Sequence, residues 1–505
     1  MNDTSGGDNV RDLRVAVIGA GMAGIASVIK LREAGIDDVT VFEKAHDVGG
    51  TWRENTYPGI ACDVPAHLYR FAEHPRAHWS HTFAPGGEIQ EYLRAVAHES
   101  GLHERIRFRS PLRCARWTGD AWRIEIGGDG TRARRPRTLE AQSLVLACGR
   151  LTQPRLPDLP GLASFPGPVV HTARWDHDMP LAGRRIAVVG TGASAVQLVP
   201  ELVRRGARVT LFQRTPAWIL PRGGAAYGPA EQRALAGDPD ALARLREDLL
   251  IEGEARFASR SGDAEAASRA RAAALAHLAA QVPDRALRDA LTPRYPFGCK
   301  RVLLSDDFYP ALASGAVALE ASALVGVEGH TLIAAGGAAY EADALVLATG
   351  FETTRQPYAD LVEGERGLTL AEHWSGGMTS LGSTLVTGFP DLYVLNGPNA
   401  SLGHNSAVLM AEEQAGFVVR RLAARGDAPV RVRPEAERAY TREIESRSAG
   451  TPWVADGCSN WYVDERSGRL TLLWPGTVQA FRDRLARIGA DDFEPAPSGL
   501  LEGAS

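Results

Sequence analysis

Two glycine-rich stretches carry the first chemistry legible in the chain, Gly19-x-Gly21-x-x-Gly24 and Gly190-x-Gly192-x-x-Ala195. Each follows a short apolar run, residues 14 to 18 and 185 to 189, and each opens a segment with helical spacing. A strand that runs through glycine into a helix presents backbone N–H groups at the helix N-terminus, where they bind the pyrophosphate of a dinucleotide. The first glycine allows the tight turn, the second lets the pyrophosphate come close, and the third lets helix and strand pack; alanine is an accepted third residue. Two such turns predict two bound nucleotides.

The residue after the next strand tells the two apart. In the first unit the strand 39 to 42 ends at Glu43, whose carboxylate can accept hydrogen bonds from ribose hydroxyls. In the second, the strand 208 to 212 ends at Gln213 and Arg214. A guanidinium binds a 2′-phosphate bidentately where a carboxylate would repel it, so Arg214 selects NADPH over NADH.

Between the two turns lies Phe165-x-Gly167-x-x-x-His171-x-x-x-Trp175-Asp176, and directly after Glu43 comes the polar, turn-rich stretch 49 to 63. The stretch reads as a loop of defined shape beside the first nucleotide. His171 can be read as a pH-dependent base, a hinge contact or a satisfied structural group; we favour the hinge, since two nucleotide units must reorient through their linker.

These residues need a scaffold. The chain has 505 residues, more than one hydrophobic core usually organises, and 44% of them are hydrophobic. The pattern predicts an α/β protein with two Rossmann-like dinucleotide-binding domains and a helical insertion. Residues 1 to 13 read as a tail, 14 to 154 as the first part of one nucleotide domain, and 155 to 340 as the other domain, with the insertion at about 225 to 292. Residues 341 to 490 read as the second part of the first domain plus a C-terminal loop region, and 491 to 505 as a tail. The strands 144 to 147 and 344 to 348 both end in glycine punctuation, and both are expected to return to the first sheet.

Composition excludes several partners. Net charge is −5 with Lys and Arg dispersed, which argues against nucleic acid and anionic membrane surfaces, and no apolar run is long enough for a signal peptide or a membrane span. The expectation is a cytoplasmic protein that acts on small molecules. Five scattered cysteines form no C-x-x-C pair and no metal-spaced cluster, so neither a metal site nor a structural disulfide is expected. The missing dithiol also argues against the disulfide reductases.

With these pieces in place the chain resembles the type I Baeyer-Villiger monooxygenases of the flavin-containing monooxygenase superfamily. The linker from Phe165 to Asp176 and the stretch Gly49-Gly50-Thr51-Trp52 to Tyr57-Pro58-Gly59 and Asp63 match that family's signatures. The likeness continues through Gly298-Cys299-Lys300-Arg301, Ala348-Thr349-Gly350-Phe351, Asn396-Gly397-Pro398-Asn399 and Gly403-His404-Asn405.

The resemblance implies FAD in the first unit, NADPH as hydride donor, and O2 as the source of a flavin C4a-peroxide that inserts one oxygen beside a ketone carbonyl. It assigns Arg301 to stabilising the anionic oxygen species, Asp63 to positioning Arg301, and Lys300 to the NADPH phosphate. It carries Thr51, Trp52 and Tyr69 to flavin contacts, and Thr191, Gly192, Ala193, Ser194, Ala195, Gln197 and Gln213 to the nicotinamide nucleotide. Asn405 and Trp461 join the cofactor set, with core packing an equal reading for Trp461. Phe165, Gly167, His171 and Trp175 act as the conformational joint. Oxygenation of an amine or sulfide is the alternative activity, and a non-oxygenating NADPH oxidase or redox sensor a further one. Trp453, Trp474 and Phe351 fit either a pocket wall or the core, and the substrate and oligomeric state are not legible.

Overall fold

The computed structural model describes residues 13–128, 136–425 and 429–495. Two five-stranded parallel sheets form its frame. The first runs in the order Leu392–Val394, Ser143–Leu146, Val15–Ile18, Val39–Phe42, Ile106–Arg107. The second runs Val317–Glu320, Arg208–Phe212, Arg185–Val189, Ala344–Leu347, Val169–His171. Val15–Ile18 and Ser143–Leu146 are buried at every position, as continuous apolar strands covered on both faces must be.

The two halves repeat one order of elements. In each, a strand, a glycine turn, a helix and a second strand are followed, further on, by a third strand, an antiparallel three-stranded meander and a fourth strand. The helices are Met22–Glu33 and Ala193–Arg204, and the meanders span Leu112–Trp117 to Arg137–Ala141 and Leu324–Glu328 to Ala339–Glu341. The insertion falls between the second and third strands of the second half and holds the helices Pro229–Gly237, Pro239–Ala255, Phe257–Ser261, Ala264–Gln281 and Arg285–Leu291. Asp238, Asp263 and Asp284 cap three of these helices through their side chains.

The insertion docks on the first half through partly buried polar contacts. Arg246 pairs with Glu412 at 2.7 Å, and Glu254 accepts from Asn405 Nδ2 at 2.8 Å and from the Val478 N–H at 2.8 Å. Its two ends are pinned together: Ile219–Leu220 pairs in parallel with Leu303–Leu304, two residues beyond Arg301.

Three expectations are corrected. The strand Ala344–Leu347 joins the second sheet, between Arg185–Val189 and Val169–His171, and the chain returns to the first sheet only at Leu392–Val394. An apolar strand ended by glycine looks the same whichever sheet it enters, because partner choice is a long-range property. The stretch 49 to 63 is not all loop, since Thr51–Glu54 makes one helical turn. Within the expected C-terminal tail, Phe493–Pro495 pairs antiparallel with Val430–Val432. The remainder of that tail, and residues 1–12 of the N-terminal one, lie outside the described residues.

Candidate active site

Both glycine turns have the form that nucleotide binding requires. Gly19 and Gly190 adopt φ of +106° and +110°, and a Cβ on either would lie 2.5 Å from a carbonyl oxygen of the neighbouring strand end, Ala147 and Ala348 respectively. A Cβ on Gly24 would overlap the Gly19 carbonyl, whereas Ala195 fits its methyl fully buried in the corresponding place. The helices begin at Gly21 and Gly192 with no side-chain cap and no acidic residue in the first turn, which leaves their leading N–H groups to an anionic ligand. Gly192 and Ala193 are exposed, with Thr191 and Ser194 half-buried beside them. This donor chemistry fits one dinucleotide at each turn.

Glu43 stands at the end of the second strand, buried. It accepts the Ala20 N–H at 2.8 Å and the Ala45 N–H at 2.9 Å and pairs with Arg53 at 3.2 Å, so its carboxylate is fixed against the first turn. Trp52 lies in the helical turn that follows, and its indole N–H donates to the Tyr69 hydroxyl at 3.3 Å with the rings edge to face. Thr51 is exposed at the start of that turn.

The same stretch then crosses to the second half. The Tyr57 hydroxyl donates to Gln197 Oε1 at 2.7 Å, and Gln197 Nε2 donates to the Ala61 carbonyl at 2.9 Å. Gly59 permits the approach, since its Cβ would come within 2.7 Å of the Gln197 carbonyl. Asp63 follows at the end of the stretch.

Arg301 meets Asp63 here. Its Nε donates to Asp63 Oδ2 at 2.9 Å and its Nη2 bonds the same oxygen. Each side chain keeps 30% of its surface accessible, so the pair faces an opening and is not sealed in the core. Burial alone would push the Asp63 carboxyl up, but the Arg301 charge and hydrogen bonds outweigh it and hold it below its ordinary range. The Asp63 charge in turn raises Arg301, against a smaller effect of burial, so both groups stay ionised across neutral pH.

Lys300, one residue earlier, is half-buried. Its ammonium lies 5.2 Å from the centre of the Tyr295 ring, and its affinity for a proton is lowered by burial and then by the charge of Arg214. Neither Lys300 nor the exposed Arg214 has a carboxylate partner among the described residues. Two neighbouring cations without a counter-charge fit a phosphate group. Gln213 beside them is buried and donates to the Ala290 carbonyl at 2.9 Å, and Thr191 donates to the Thr215 carbonyl at 2.8 Å.

The linker is packed and satisfied. His171 Nδ1 accepts from the Ala173 N–H at 3.1 Å, so Nε2 carries the hydrogen and donates to the Gly350 carbonyl at 3.1 Å. Burial lowers its pKa, and the ring is neutral. Phe165 is buried against His330, a Cβ on Gly167 would overlap the Asp343 carbonyl, and Trp175 packs on the second core.

The family model for flavin-binding monooxygenase-like proteins matches residues 12–232. A Baeyer-Villiger monooxygenase of Streptomyces coelicolor is 43% identical over 500 residues, covering 96% of this chain and 94% of that protein. One of Pseudomonas aeruginosa is 35% identical, covering 96% and 91%. The chain belongs to the Baeyer-Villiger monooxygenase family. Among solved structures, oxidised steroid monooxygenase bound to NADP superposes with a TM-score of 0.83 at 28% identity, covering 96% of this chain and 99% of that one.

In this Baeyer-Villiger monooxygenase family member, Asn405 meets the insertion helix Pro239–Ala255. Its amide donates to Glu254 and to the Leu250 carbonyl at 3.2 Å and its oxygen accepts from the Ser406 N–H, so every polar atom is engaged by the protein. Trp461 is half-buried against Tyr462, with ring centres 4.6 Å apart. Trp453 and Trp474 are core residues, and Phe351 lies edge-on to His171.

Several neighbours of the charged pair gave no motif. Arg222 donates to the Cys62 carbonyl at 3.0 Å, beside Asp63. Arg260 and the buried Tyr462 lie close enough to Arg301 to couple to its charge, and burial lowers Arg260 to about 10. The expectation of no disulfide is also overturned, because Cys299 and Cys458 are bonded. Cysteines 159 positions apart in sequence carry no spacing signal; only the fold brings them together. No helix among the described residues is long and apolar enough to cross a membrane.

Proposed function

We infer that the protein is an FAD-dependent, NADPH-consuming Baeyer-Villiger monooxygenase, which converts a ketone, O2, NADPH and a proton into an ester or lactone, water and NADP⁺. The observation that carries this is the Arg301–Asp63 pair on a stretch hydrogen-bonded to both halves. FAD, when bound, supplies the redox chemistry with NADPH and O2. The Gly19 turn, Glu43, Thr51, Trp52 and Tyr69 would hold it, and the Gly190 turn, Arg214 and Lys300 would hold NADPH.

The protein's own part is positioning and charge. Arg301 carries a permanent guanidinium, and Asp63 fixes its direction. A fixed cation stabilises negative charge that develops on the reacting oxygen atoms, and it does so without reorganising water. Because the pair stays ionised through neutral pH, this stabilisation does not depend on a proton arriving. His171 is neutral with both nitrogens engaged, which supports a role as the joint between the halves. We place the enzyme in the cytoplasm, with a small organic ketone as substrate.

The test is aerobic incubation with FAD, NADPH and a panel of ketones, sulfides and amines, following added oxygen by mass. Ester formed from ketones is the expected result. In Arg301→Ala, flavin reduction by NADPH should proceed while ester formation is lost. Undiminished ester yield in that variant, or NADPH-dependent hydrogen peroxide as the sole product from every ketone, would overturn the reading.

A further inference from the structure

The Cys299–Cys458 disulfide joins two segments that matter to the charged pair. Cys299 is completely buried and directly precedes Lys300 and Arg301. Cys458 is partly exposed between exposed Gly457 and Ser459, in the loop 451–463 that also carries Trp461 and Tyr462. Asn460 organises the loop from within: its amide donates to the Trp453 carbonyl at 2.8 Å and to Cys458 Sγ at 3.0 Å, and its oxygen accepts the Tyr462 and Val463 N–H groups at 2.8 and 3.2 Å. The loop is thus ordered from within, and the disulfide ties it to the Arg301 segment.

The remaining cysteines behave differently. Cys62, Cys114 and Cys148 are free. Burial pushes the Cys62 and Cys148 thiols up, the latter to about 12, so they stay protonated and react slowly.

We propose that Cys299–Cys458 is a redox modification site, opened by low-molecular-weight thiols and closed by hydrogen peroxide, that governs how firmly the loop 451–463 is held on the Arg301 segment. In opening, a small thiolate attacks the Sγ of the partly exposed Cys458; the S–S bond breaks and Cys299 leaves as a thiolate that takes up a proton. A second small thiol displaces Cys458 from the mixed disulfide, giving two protein thiols and one small-molecule disulfide. In closing, the Cys458 thiolate attacks hydrogen peroxide from solution to give a sulfenic acid, and Cys299 displaces its oxygen. Two thiols and one peroxide become one disulfide and two waters.

The consequence for turnover rests on the function proposed above; the cross-link does not. With the tether open, the loop separates from the Arg301 segment more often, and a smaller share of the NADPH consumed ends as oxygenated product.

The experiment uses the full chain treated either with hydrogen peroxide or with dithiothreitol, then denatured and alkylated. Intact mass should show three alkylated cysteines in the oxidised protein and five in the reduced one, with peptide mapping placing the cross-link at Cys299–Cys458. Limited proteolysis within 451–463 should be roughly 10-fold faster after reduction, as for a segment whose local opening is favoured. Cys458→Ser should be cleaved at the fast rate under both conditions. Five alkylated cysteines after peroxide, a cross-link elsewhere, or equal cleavage of the two wild-type forms would overturn the proposal. A cross-link and cleavage that respond as expected, in a protein that oxygenates nothing, would leave the tether standing and remove the proposed activity.

Discussion

Tyr57 donates its hydroxyl hydrogen to Gln197 Oε1 across the junction between the two nucleotide turns, at 2.7 Å. Burial pushes the Tyr57 phenol up to about 12, so it remains a donor at every working pH. Tyr57→Phe removes that donor from a half-buried acceptor and should cost about 1 kcal/mol of stability, read from urea denaturation, with the same loss at pH 6 and pH 9.

Arg214 and Lys300 are unneutralised neighbours, and the proposed function assigns both to the phosphate that distinguishes NADPH from NADH. Replacing either with alanine should raise the KM for NADPH by roughly 10- to 100-fold, the loss expected for a charge-assisted contact, and leave that for NADH unchanged. An equal rise for both nucleotides in steady-state kinetics would place these residues elsewhere.

The Asp63 carboxyl is held below its ordinary value, so its contribution to stability is complete above the unfolded pKa near 4 and disappears as pH falls through the lower folded value. Asp63→Asn should therefore be less stable than wild type at pH 7 and converge with it in strong acid. Its kcat should fall roughly 100-fold as Arg301 loses its anchor, with no new step in the rate profile between pH 6 and 9.

The third position of each turn should respond differently. Gly24→Ala puts a methyl into the Gly19 carbonyl and should yield protein that no longer retains flavin absorbance through gel filtration. Ala195→Gly adds backbone freedom within a helix and removes one buried methyl, together about 1–2 kcal/mol, and should still be reduced by NADPH.

His67 is wholly buried, and burial followed by the charge of Arg70 pushes it down to about 4. Its folded form is neutral, so the stability tied to it is full above the unfolded pKa near 6.5 and is lost as pH falls toward 4. The Tm of wild type should drop across that window, and His67→Leu should flatten the drop.

What the sequence discloses and what it hides divide along local and long-range physics. Val39–Phe42, Arg185–Val189 and Arg208–Phe212 begin and end where the apolar runs do, because a strand covered on both faces is written in consecutive residues. Gly19 and Gly190 are legible because their backbone tolerates no side chain. The sheet that Ala344–Leu347 joins, the Tyr57–Gln197 bond and the Cys299–Cys458 bond are not, since each pairs segments whose partner is set by the finished fold. The bonds of the Asn405 amide to Glu254 and Leu250 on the insertion helix are hidden in the same way, because the motif around Asn405 says nothing of that partner.

The short parallel ribbon of Ile219–Leu220 and Leu303–Leu304 gives the helical insertion a fixed root, and Arg301 stands two residues from that root. That ribbon and the contacts of Arg246 and Glu254 tie the insertion down at its base and along its length, so changes confined to its outer helices should leave Arg301 in register with Asp63.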